Sequence, residues 1–224
     1  MTLISREELL LGCSFADVEH GIIADALNAI AKAIAMGEKE FAFKTLLPAS
    51  LDYLEKHLTH EEKVLENAFF YWAEERNYGD LYEEFFGNFH NYLVEKDKNL
   101  KEYTYRDFLE FAEAFKVKYP KEEEFFRILE LIEHQKHGHK NVSRLLKKEL
   151  SKIDPSEEPK RIVEQLGVAL SFVLNRVLKM DRKYVEFYRN YNIPACEEKP
   201  LYPPKEVLEL IESVLKNDGI PLSE

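Results

Sequence analysis

The stretch EHQKHGHKN, residues 133–141, holds three of the chain's seven histidines: His134, His137 and His139. Imidazoles at this density suit metal ligation, a pH-sensitive surface, or a solvated helix face. On a helix, residues spaced three and five apart cannot all converge, so at most two of the three reach a common centre. With Ile128, Leu131, Ile132, Val142 and Leu146 as the inward stripe, His139 points into it and His134 sits on its border. His137 points away, towards solvent. Two other segments also offer inward-leaning imidazoles. His20 lies beside Ile22 and Ile23, and His57 stands one helical turn before Glu61, so imidazole and carboxylate share a face. His60 lies on a neighbouring edge. A single inward histidine is more often a hydrogen-bonded core residue than a ligand. Three helices that each supply one are explained more economically by a shared ion, because isolated buried polar groups cost free energy. Imidazole with carboxylate suits iron, zinc or manganese.

Two catalytic patterns are absent. Paired E-x-x-H motifs of ferritin-like oxidases would need glutamate three residues before a histidine, and no histidine here has one. His60-Glu61 lacks the further histidine of an H-E-x-x-H zinc hydrolase. No catalytic residues are assigned, and a non-enzyme is favoured.

Long amphipathic helices must position these residues. Only eight glycines and almost no alternating runs occur in 224 residues, so the periodicity reads as all-α. Four long helices are expected, at roughly 14–35, 49–75, 121–151 and 159–191, the material of a four-helix bundle. On the first, Val18, Ile22, Ala26, Ala29 and Ile30 form the inward face, and Gly37 follows its end. An aromatic insertion at about 77–119 reads as an added helical pair. DPSEEP is a linker, and the region 196–224 reads as a strap and a last helix that stops at Gly219. The expected organisation is a bundle over 1–195 with that C-terminal element packed on it.

A net charge of −11 argues against a nucleic-acid partner, which needs a positive surface. No apolar run is long enough to span a membrane, and the first residues lack the pattern of a signal peptide. Cys13 and Cys196 are too few and too far apart for a disulfide framework, so the expectation is a cytoplasmic protein with reduced thiols.

The order of elements resembles the hemerythrin family and its wider set of hemerythrin-like cation-binding domains. FADVEHGIIADALNAI (15–30) resembles that family's first-helix pattern and YLEKHLTHEEKVLE (53–66) its second-helix H-x-x-x-E-E. LIEHQKHGHKNVSRLL (131–146) resembles its third and LNRVLKMDRKY (174–184) its fourth. The resemblance implies an up-and-down four-helix bundle around non-haem iron, with another divalent metal as the alternative. It implies His20, His57, Glu61, His134 and Asp181 as ligands, the two carboxylates bridging where two irons are present. Gly138 falls where the family has a histidine, and Arg176 replaces another expected ligand.

The first iron's set is therefore complete and the second's is reduced to His134. Either one ion binds, with the Arg176 cation standing in for the second, or His139 or His60 substitutes and two ions bind. A metal-free scaffold is the third reading. Reversible O2 carriage draws one electron from each of two irons, so an incomplete pair points instead to a sensor or regulatory, metal-handling protein. A small diatomic ligand, O2 or NO, and a protein partner are the expected contacts, with the aromatic insertion as a candidate partner surface.

Overall fold

The computed structural model describes residues 3–217, the side chain of Phe172 excepted. Among the described residues there are seven α-helices of twelve residues or more and no strand. Helix α1 (Ser14–Ala35) closes at Met36 and Gly37, whose φ of 91° lies in the left-handed region that side chains disfavour. Helix α2 (Leu47–Glu75) continues directly from a π turn at Ala42–Leu46, and Pro48, which has no N–H to donate, is its second residue. It stops at Asn77, which takes φ 58°, while Tyr78 N–H reaches back to Ala73 O at 2.8 Å. The aromatic insertion forms α3 (Gly79–Glu95) and α4 (Tyr105–Lys116). Helices α5 (Glu123–Leu150) and α6 (Pro159–Asn190) match their expected spans within two residues. Helix α7 (Lys205–Lys216) closes the described chain, and the expected stop at Gly219 lies outside the described residues.

The chain forms two compact units that share the long helices. The first comprises Met1–Glu61, Asn141–Lys179 and Cys196–Glu224. Within it, segments of α1, α2, α5 and α6 line one cavity of about 50 Å3. Its wall is aliphatic, with Leu27, Leu54, Leu146 and Leu170 among the contributors, apart from Ser50 and the imidazoles of His20 and His57. Helix α1 is buried over most of its circumference because α7 covers another of its faces, with Lys32 Nζ donating to Leu215 O at 2.7 Å. Val18, expected inward, is instead 38% exposed.

The cysteines correct the expectation of reduced thiols. Cys13 and Cys196, 183 positions apart, form a disulfide with Cα atoms 4.7 Å apart. Sequence separation carries no information about distance once a terminal strap folds back on the first helix, and here the strap returns to the start of α1. Ser14 Oγ donates to Cys196 O beside it.

The second unit comprises Glu62–Lys140 and Met180–Ala195 and has an aromatic core. Phe85 is fully buried, with ring centroids of Phe111, Phe115 and Phe108 at 5.1, 5.2 and 5.8 Å. It also meets Phe126 of α5 at 6.2 Å, which pins the inserted pair to a long helix. Offset and edge-on rings at these separations attract beyond their burial alone. Phe85→Ala is expected to cost about 3–5 kcal/mol in urea unfolding, the usual penalty for an aromatic cavity.

Helix α4 starts with a reciprocal cap. Thr104 Oγ1 accepts from Asp107 N–H, and Asp107 accepts from Thr104 N–H at 2.8 Å. Burial alone would raise the Asp107 carboxyl, but Lys98 Nζ at 2.7 Å and the Thr104 donors hold it far below the usual carboxylate range. The unfolded chain therefore binds the proton more readily, and this contribution is complete above pH 4 and lost as pH falls below it. Asp107→Asn is expected to cost about 1 kcal/mol at neutral pH. The gap from the parent should narrow progressively as urea midpoints are followed from pH 6 down to pH 2.

Candidate metal centre

In the first unit, α1 and α2 bring His20, His57 and Glu61 together, all buried, with one ligand atom from each lying within 4.8 Å of the others. The i, i+4 spacing on α2 sets His57 Nε2 3.4 Å from Glu61 Oε2. From α1, His20 Nε2 lies 3.8 Å from Glu61 Oε1, and the two imidazole rings are 5.0 Å apart. The far ring nitrogens are already engaged. His20 Nδ1 faces Leu9 O at 3.1 Å and His57 Nδ1 faces Glu19 Oε2 at 2.7 Å. Carbonyl and carboxylate partners fix both rings with Nδ1–H donating, which turns Nε2 of each ring towards the Glu61 carboxylate. His57 Nε2 is buried and has no hydrogen-bond partner among the described residues. A buried acceptor in that state is costly unless something fills the space before it.

Glu19 organises this side of the unit, and the sequence reading missed it. Its carboxylate is fully buried and meets His57 Nδ1 on one oxygen, and His60 Nδ1 and Leu201 N–H, each at 2.7 Å, on the other. Burial would raise this carboxyl. The hydrogen bond from His57, with Leu201 N–H and His60, outweighs that and holds it below the usual range. The EH dipeptide was the available signal: the residue beside an inward ligand also lies close to the inward face. His60 is thus a partner of Glu19 and not a third imidazole of the cluster.

In the second unit, His139 of α5 and Asp181 of α6 are both buried, with His139 Nε2 3.8 Å from Asp181 Oδ1. Gln135, one turn before His139, places its amide nitrogen 2.8 Å from His139 Nε2 and 2.7 Å from Asp181 Oδ1. His139 Nδ1 lies 3.3 Å from Glu62 Oε1. The inward i, i+4 pair on α5 is therefore Gln135 and His139, one residue later than the pair His134 and Gly138 that the family pattern aligns. Gly138 faces Met180, whose Sδ would stand 2.4 Å from any Cβ there. A side chain at this position would require the flexible thioether end of Met180 to move aside.

Three residues depart from expectation. His134 belongs to no group of converging donors among the described residues. It lines an open groove of about 370 Å3 with Tyr105, Arg127 and Lys183, where burial and the Lys183 charge lower its pKa. His137, expected in solvent, is 9% exposed, with its ring 4.9 Å from that of Tyr103, and burial pushes its pKa down to about 4. The inserted segment supplies the cover that an α5 helical wheel drawn alone cannot show. Arg176 is exposed, so it does not stand in for a buried second cation. His90 of the insertion is exposed, and Tyr184 is buried in the second unit.

No family model, curated protein or solved structure matches the chain. Among the described residues no helix is long and apolar enough to cross a membrane. Fold and site together define an all-helical protein whose buried His/Glu/Asp cluster can hold a metal ion.

Proposed function

We propose that the chain is a hemerythrin-like, non-haem metal protein that binds iron through His20, His57 and Glu61 and acts as a sensor or regulatory protein. The observation that carries this is the preset pair of imidazoles, each oriented through Nδ1 with Nε2 beside a buried carboxylate. Two neutral imidazoles and a carboxylate suit ferrous iron, with manganese or zinc as other occupants of the same donors. Bound there, the metal would supply a redox-active Lewis acid. An up-and-down four-helix bundle is the fold this reading implies. Three protein donors leave coordination positions for a small ligand.

The cavity reaching His20 and His57 has an aliphatic wall, which favours an uncharged diatomic such as O2 or NO over an anion. His139 and Asp181 support a second reading, in which they hold a second ion. Iron content per chain, measured on protein from iron-supplemented cells purified without chelator and paired with an optical spectrum in air, tests both. About one ion per chain is expected. About two, with an oxo-bridge absorption band, would favour the second reading, and none would leave a metal-free scaffold whose aromatic helical pair becomes the functional surface.

A further inference from the structure

We propose that the Cys13–Cys196 disulfide is a redox latch on metal retention: its reduction frees the strap that orients His57 and lets the ion leave. This rests on His57 being a ligand, as proposed above. The two cysteines frame one short structural circuit. Cys13 directly precedes α1, and Glu19 follows within the first turns of that helix. Cys196 begins the strap, and Leu201, five residues on, donates its N–H to Glu19 Oε1 at 2.7 Å. Leu201 O in turn accepts from Tyr53 OH of α2 at 2.8 Å, one turn before His57. The other oxygen of Glu19 holds His57 Nδ1 at 2.7 Å. The strap thus completes the hydrogen bonding of the carboxylate that fixes His57, and the disulfide ties the strap to the helix that carries this carboxylate.

A covalent tie so close in the chain to both partners raises the effective concentration of Leu201 N–H at Glu19, and cutting the tie removes that advantage. Glu19 then loses a buried donor, and His57 is held less firmly. Outer partners of this kind tune metal affinity by roughly 10–100-fold. Cys13 is fully buried, whereas Cys196 is half-buried and offers the accessible end. The reductant is a dithiol. Its thiolate attacks one sulfur, the S–S bond breaks, and the mixed disulfide resolves to a cyclic disulfide. Two electrons and two protons pass to Cys13 and Cys196 as thiols.

The test uses the full chain loaded with Fe2+ under argon. Release into excess ferrous chelator is timed for oxidised protein, for protein reduced and then freed of reductant, and for Cys13→Ser/Cys196→Ser, with thiols counted in each. Proteolysis of the strap is followed in parallel on metal-free protein. Release about 10-fold faster in the reduced protein and the double variant is expected, with reoxidation restoring slow release only in the parent. Strap cleavage should rise on reduction even without metal. Equal release rates at a full count of two thiols would overturn the latch. If the oxidised protein retains no Fe2+, the metal reading fails separately, and strap cleavage unchanged by reduction would then overturn the latch by itself. If the double variant does not fold, reversible reduction of the parent still decides.

Discussion

His57→Ala is expected to lower iron retention by more than about 100-fold, beyond what loss of an outer partner costs, while His134→Ala leaves it within about twofold of the parent. The pair is discriminating because the family resemblance and the geometry disagree about His134. The resemblance makes both residues ligands. The structure places His57 Nε2 3.4 Å from Glu61 Oε2 and sends His134 to a groove with Tyr105 and Lys183. Iron content after gel filtration, with circular dichroism to confirm folding, reads the difference. Equal losses in the two variants would restore the family register on α5, and no loss in either would remove the cluster from consideration.

Glu19 should give the second large effect, on two separate readouts. Glu19→Ala leaves His57 Nδ1–H and Leu201 N–H without their buried acceptor, while half-buried His60 turns to water. Each buried donor left unsatisfied costs about 1–3 kcal/mol, so a loss of about 2–5 kcal/mol is expected in urea unfolding. Glu19→Gln keeps the shape and one acceptor oxygen but presents an NH2 group to donors. It should fold with a smaller penalty, yet bind Fe2+ about 10–100-fold more weakly, because the His57 tautomer is no longer fixed by a carboxylate. A purely structural role would lower stability in both variants and leave affinity unchanged in the folded Glu19→Gln protein.

Much of this was legible in the sequence because helical periodicity is a strong signal. The spans of the long helices followed from apolar spacing and from a stop signal such as Gly37. The relation of His57 to Glu61 needed only the i, i+4 rule. Other features depended on contacts between segments remote in sequence. His137 is buried by Tyr103, which arrives from the insertion. The disulfide depends on a strap returning 183 positions later. The end of the Met180 side chain of α6 lies against Gly138, a fact no pattern on α5 contains. The family alignment placed His134 inward, one position out of phase with the Gln135 and His139 face, and an error of one residue turns a side chain by about 100°. Glu19 was hidden for another reason: a buried glutamate is rare enough that composition assigns it to the surface, and only its three partners reveal it.

The most direct measurement is an anomalous difference map at the iron edge from crystals of the Fe2+-loaded chain. One peak within about 2.0–2.2 Å of the Nε2 atoms of His20 and His57 and of a Glu61 oxygen, the range typical of imidazole and carboxylate ligands, is the predicted result. A map with no peak at these atoms, or with its peak at His134, would contradict the account.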